Sequence, residues 1–251
     1  MGFLSKLLGG NSNAEITPVP QDANWQAVYQ QRTRLFEQLF GAMPPKLLGA
    51  PSAEGVWPGG GLAYIPTSAG GQPLFVYSTF GLTNPDMPNE LERAKASSAL
   101  FGGKAKLQRK ANPPPRTERP GYGYELVVLS RESAAWPLLT LQWLVGEILL
   151  ADMDILGIVE QRQHILIEEM DAGDGSSVNL VISKARAPLP DHLSLPNGKM
   201  QLLVLTAITN EEMAWGERNG LENLMVQLER AGHGQISLRN RASSLSRATA
   251  A

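Results

Sequence analysis

The stretch Phe75-Val-Tyr-Ser-Thr-Phe-Gly-Leu-Thr-Asn-Pro85 carries side chains that could do chemistry. Ser78 and Thr79 offer two hydroxyls, and Asn84 an amide, where an apolar run meets a turn. A hydrolase serine needs a sharp strand-to-helix turn of the form Gly-x-Ser-x-Gly. No glycine precedes Ser78 here, so its hydroxyl is expected to satisfy neighbouring backbone. The three histidines, His164, His192 and His233, stand at no metal-ligand spacing, and there is no His-Glu-x-x-His. Asp171-Ala-Gly-Asp-Gly-Ser-Ser177 has the look of a calcium loop but lacks its ordered oxygen ligands and closing glutamate, and reads as a polar hairpin turn. Gly59 to Gly61 are not followed by Gly-Lys-Ser/Thr, so they do not read as a phosphate loop. The chain has no cysteine, which removes thiolate chemistry and disulfides. No catalytic set emerges, and no cofactor or metal is expected.

Charge is more informative. Between Glu147 and Asp174 there are eight acids against the lone base Arg162, a local charge of -7 in a chain whose net charge is -2. Such a concentration steers cationic partners. The candidate partner-binding residues are Asp152, Asp154, Glu160, Glu168, Glu169, Asp171 and Asp174. A solvated surface would look the same, and strand alternation could send these acids to different faces. The loop at 102–120 holds six bases, one acid and three consecutive prolines. It lacks the interleaved aromatics of a nucleic-acid site, and no nucleic-acid partner is expected.

These residues need elements to position them. Residues 22–40 read as a helix capped by Asp22, with Trp25, Val28, Tyr29, Leu35, Phe36 and Leu39 inward. Residues 41–71 shift to Pro and Gly. Strands are expected over 74–80, 122–130, 164–168, 178–183 and 200–208, and helices over 89–100, weakly, and 136–151. Pro196-Asn197-Gly198 marks a turn. Thr209 with Glu212 has capping-box spacing for a last helix, which Asn219-Gly220 kinks or splits and Gly232 ends. Residues 1–20 and 239–251 are expected to be flexible tails around one domain at 21–238. No run reaches the roughly 20 apolar residues of a spanning helix, and a cytoplasmic protein is expected.

"YSTFGLTNP", then "GYGYELVVLS", then a Trp/Leu-rich helix, then "LLVLTAITNEEMAWGERNG" leading into "LENLMVQL" resembles the suppressor of fused (SUFU)-like domain family over about 25–231. The resemblance implies an α+β fold, a single mixed β-sheet packed by helices. It also implies a non-enzymatic binding protein of the bacterial single-domain type, and most directly an immunity protein that neutralises a toxin by stoichiometric binding. The animal protein's second domain, and the transcription-factor peptide it helps hold, are not carried over. An adaptor in a secretion or signalling assembly and an uncharacterised hydrolase using scattered carboxylates remain the alternatives.

Overall fold

In a computed structural model, residues 23–50, 57, 59–87, 91–93, 107–109, 120–151 and 153–247 are described. The expected tail at 1–20, the cap at Asp22 and most of the basic loop lie outside them. Among the described residues no helix is long and apolar enough to cross a membrane.

The frame is a mixed sheet with helices on both faces. Its strands are β1 (Gly61–Ala69), β2 (Gln72–Phe80), β5 (Tyr124–Ser130), β6 (His164–Asp171), β7 (Ser177–Lys184) and β9 (Gly198–Ile208), in the order β1-β2-β5-β9-β7-β6. Two short strands, β8 (Leu193–Leu195) and β10 (Ile236–Ser237), pair with β9 and β5. The β5–β9 and β10–β5 pairs are parallel and the rest of this sheet is antiparallel. Every residue of β5 is buried, Glu125 and Ser130 included, as in a strand covered on both sides.

Helix α2 (Trp136–Leu150) and α3 (Ile155–Arg162) pack on one face, over Tyr77, Tyr124, Leu126, Leu180 and Leu203. The opposite face takes α1 (Ala23–Phe40), which buries Val28 and Phe36 against Val76, Val127 and Val204. Further along that face, α5 (Leu221–Arg230) sets Leu224, Met225 and Leu228 on Val181. Helix α4 (Asn210–Asn219) is separated from α5 by Gly220, whose positive φ of 91° breaks the run. The capping box forms: Thr209 accepts from the Glu212 N–H and Glu212 from the Thr209 N–H.

Several expectations change. The weak helix at 89–100 does not form over Leu91–Arg93, which is β3, paired with β4 (Leu107–Arg109) inside the expected loop. Leu91 to Arg93 find cross-strand partners, which override a marginal helix preference. The Pro/Gly stretch contains β1, an edge strand that tolerates Pro66. Helix α3 and strand β8 fall in stretches for which the sequence predicts no helix or strand. The tail from Arg239 is held as far as Leu245, because Arg239 and Arg241 each pair with an acid of the domain.

Candidate functional site

The hydroxyls of the first motif point inward. Thr79 Oγ1 donates to Glu125 Oε2 at 2.7 Å, and Thr83 Oγ1 to Glu125 Oε1 at 2.7 Å. The N–H groups of Gly81, Leu82 and Thr83 converge on the same carboxylate at 2.9, 3.3 and 3.1 Å. Arg32 of α1, as buried as Glu125, lies 3.8 Å from it and donates to Thr83 Oγ1 at 2.9 Å and to Asn84 Oδ1 at 2.7 Å. Its guanidinium also sits over the Phe80 ring, 4.2 Å from the centroid, a cation–π contact. Burial pulls Arg32 below its ordinary pKa, and Glu125 is the main opposing influence. A Cβ on Gly121 would run into the carbonyl oxygen of Leu82, and its φ of +56° also favours glycine. Gly121 therefore lets "GYGYEL" close on "FGLTNP". Both carboxylate oxygens and both hydroxyls are occupied, so the cluster locks turn to sheet and offers no free nucleophile. Ser78 lies within hydrogen-bond distance of two carbonyl oxygens, those of Thr79 and Leu126.

The acids sort into groups. Asp152 lies outside the described residues. Asp154 caps α3 by accepting from the Gly157 N–H at 2.9 Å, a structural duty. Glu160 is exposed on α3. Glu168, Glu169, Asp171 and Asp174 come together on β6 and the hairpin that follows, all exposed.

Alternation alone would put Glu168 and Glu169 on opposite faces of the sheet. A β-bulge prevents this: the register with β7 slips between Ile167 and Met170. Glu169 takes a positive φ of 48°, and its N–H donates to Asn179 Oδ1 at 2.9 Å. The Asn179 amide is in turn fixed by donating to Asn210 Oδ1 at 2.7 Å. The extra residue turns both carboxylates to solvent. Asp171 accepts from the Gly173 N–H at 2.8 Å and Asp174 from the Ser176 N–H at 3.1 Å, which fixes the hairpin tip. Among the described residues, no strand lies beyond β6. At the other edge, Leu48 and Leu62 bond reciprocally and partly cover β1. The acids therefore stand on the open edge.

Apolar surface borders them. Among the described residues, Trp143 and Leu150 are the large apolar residues left exposed, at 40 % and 41 %. Seven residues apart, they share one face of α2 with Leu139. Leu139 lies against Gly173 of the β6–β7 hairpin, where a Cβ would collide with it. On a helix that is apolar nearly all round, Trp143 faces outward.

The root of the edge strand holds a buried titratable group. His164, which begins β6, is buried, and its Nε2 lies 3.4 Å from a carboxylate oxygen of Glu222 on α5. Burial holds its pKa below the ordinary 6.5, against the pull of Glu222 and with the repulsion of Arg186. The native state thus disfavours the imidazolium, and its contribution to stability is full above about pH 6.5. That contribution is lost as pH falls through the lower native value. Urea unfolding at pH 7.5 and 5.5 is expected to show a decline in wild type that His164→Gln largely removes. An equal decline in both would place the acid sensitivity elsewhere.

Glu212 anchors the last segment. Burial pushes its pKa up, but hydrogen bonds from Arg241 and from the N–H groups of Ser244 and Thr209 outweigh this and leave it lowered. Beside it, a cleft of about 400 Å³ is lined by Ser177, Asn179, Thr209, Glu211, Arg239 and Arg241, among others.

A family model described as Suppressor of fused protein (SUFU) matches residues 60–242. No match is found among curated protein sequences. The fold is similar to that in a Sufu–Fu complex crystal structure, with TM-score 0.54 and 13 % identity, over 89 % of this chain and 93 % of that one. It is similar to Drosophila Suppressor of Fused, with TM-score 0.52 and 13 % identity; 89 % of this chain covers 51 % of that one. It is also similar to a suppressor of fused homolog from Neisseria gonorrhoeae, with TM-score 0.51 and 15 % identity, over 88 % and 96 % of the two chains. At these identities the likeness shows the fold.

Proposed function

The chain belongs to the suppressor of fused family, and from there we propose that it is a non-enzymatic immunity protein that neutralises a toxin by covering it. The observation that carries this reading is the coincidence of the open β6 edge with exposed Glu168, Glu169, Asp171 and Asp174. A free strand offers backbone groups for strand addition, and the acids select a cationic segment. Acids also guard edges against self-association, so the same carboxylates exclude a second copy while admitting a basic partner. The Sufu–Fu complex shows one fold relative engaged with a protein, which supports partner binding as the general mode.

Tight inhibition needs an interface of about 1,600 Å² with aromatic anchors as well as charge. Trp143 and Leu150 are exposed on the face of α2 whose Leu139 meets the hairpin at Gly173. In the cell the partner is expected to be the product of the adjacent gene. Co-expression should rescue cells from that product, and calorimetric titration should give a one-to-one complex. Absence of both binding and protection would remove the immunity reading.

A further inference from the structure

Resting on that reading of the β6 edge, we propose that Arg239 is an internal competitor, which occupies on the hairpin tip the seat that an arginine of the partner takes. The contact is a fork. Arg239 Nη2 donates to Asp174 Oδ2 at 2.6 Å and Nη1 to Ser176 Oγ at 3.0 Å. Ser176 Oγ passes the chain on by donating to Asp174 Oδ1. A carboxylate and a hydroxyl, two positions apart and preset by the turn, match the two prongs of a guanidinium. A lysine ammonium cannot span them in this way. The tip is therefore a guanidinium receptor, and its present occupant comes from the same chain.

The two arginines of this segment differ in how easily they leave. Arg241 is 5 % exposed and binds Glu212, which is 0 % exposed, so its pair is part of the structure. Asp174 is 51 % exposed and the Arg239 side chain 19 %, so the acid end of this pair is open to water and screening, which limits what the pair contributes. Arg239 Nε, buried, has no partner among the described residues, so its guanidinium is incompletely satisfied where it sits. The Arg239 N–H bonds Glu132 and the neighbouring Arg241 is latched, so the segment stays in place when the side chain swings away. Release of Arg239 uncovers Asp174 and adds its charge to that of Glu168, Glu169 and Asp171. The partner class is thereby narrowed to an extended segment carrying arginine rather than lysine.

The test uses the full chain and a fluorescein-labelled peptide of alternating glycine and arginine, with its glycine–citrulline and glycine–lysine counterparts, read by anisotropy at low ionic strength. Arg239→Gln is expected to bind the arginine peptide about threefold to tenfold more tightly than wild type. Asp174→Asn should bind it more weakly, and Arg239→Gln should add nothing in the Asp174→Asn background. Arg162→Gln removes an exposed arginine of α3 that stands outside the seat; it should give a smaller gain. An equal gain would reduce the effect to net charge and overturn the proposal. Unchanged affinity in Arg239→Gln, with weaker binding by Glu168→Gln/Glu169→Gln, would overturn the competitor and leave the edge reading standing. No binding by wild type or Arg239→Gln would remove the edge reading and the competitor with it. Circular dichroism checks folding, and Arg239→Lys, which keeps the charge but not the fork, should fall between wild type and Arg239→Gln.

Discussion

Glu125→Ala is expected to lower the unfolding free energy by about 3–5 kcal/mol. Alanine would leave five hydrogen-bond donors without their acceptor: the hydroxyls of Thr79 and Thr83 and the N–H groups of Gly81, Leu82 and Thr83. It would also leave the Arg32 charge buried 3.8 Å from the vacated position. An unmatched buried charge is the costly half of a broken ion pair, and each unsatisfied buried donor adds to that. Arg32→Met should cost less, since the five donors still hold the carboxylate and methionine can fill the slot over Phe80. A typical domain has a total stability of about 5–15 kcal/mol, so Glu125→Ala should leave a marginal protein. Urea titration followed by tryptophan fluorescence measures both variants. A loss under about 1 kcal/mol for Glu125→Ala, or a larger loss for Arg32→Met, would show that the cluster does not hold the turn to the sheet.

That cluster also explains what could be read before the structure. "YSTFG" and "GYGYEL" were legible as family markers and as scaffold, with Phe75, Tyr77 and Phe80 in the sheet and Gly81 and Asn84-Pro85 in a turn. The bond between the two motifs was hidden, because a carboxylate and a guanidinium are read outward by default. Arg32 does carry a signal. It continues the buried series Trp25, Val28, Arg32, Phe36 and Phe40, so a charge sits where helical spacing calls for an apolar residue. Glu125 likewise interrupts the apolar run of β5. A charge inside each of two buried elements invites pairing them, but 93 residues separate the two, and sequence alone does not show which charges meet.

The candidate site was legible by composition and not by geometry. The -7 stretch is visible in the sequence, yet its members do different work. Asp154 preceding Ile155-Leu156 is a helix-cap pattern, and the cap, not a partner, uses it. Glu168 and Glu169 reach solvent together only because Asn179 and Asn210, from two other elements, stabilise a bulge. No local pattern encodes that relay. Trp143 was hidden for a different reason: α2 is apolar nearly all round, so spacing does not separate its exposed face from its buried one. The expected disorder from Arg239 followed composition, while the acids that hold Arg239 and Arg241 lie far off in the chain.

Charge reversal at the bulge gives the largest expected effect on function. In Glu168→Lys/Glu169→Lys the local charge rises by four at an exposed site. The fold should survive, because the bulge is held by the Glu169 backbone N–H and not by its carboxylate. Binding to the basic partner should fall about tenfold or more near 50 mM salt, chiefly through slower association, since charges at an interface act on encounter more than on residence. The Debye length shrinks from about 10 Å at 0.1 M to about 3 Å at 1 M. The difference between mutant and wild type should therefore narrow as salt is added. Stopped-flow association at two ionic strengths separates this from general damage, which would raise the dissociation rate and persist at high salt. Equal affinity at low salt would place the interface away from β6, and a deficit that ignores salt would mean that the lysines block strand addition sterically while the charge plays no part in steering.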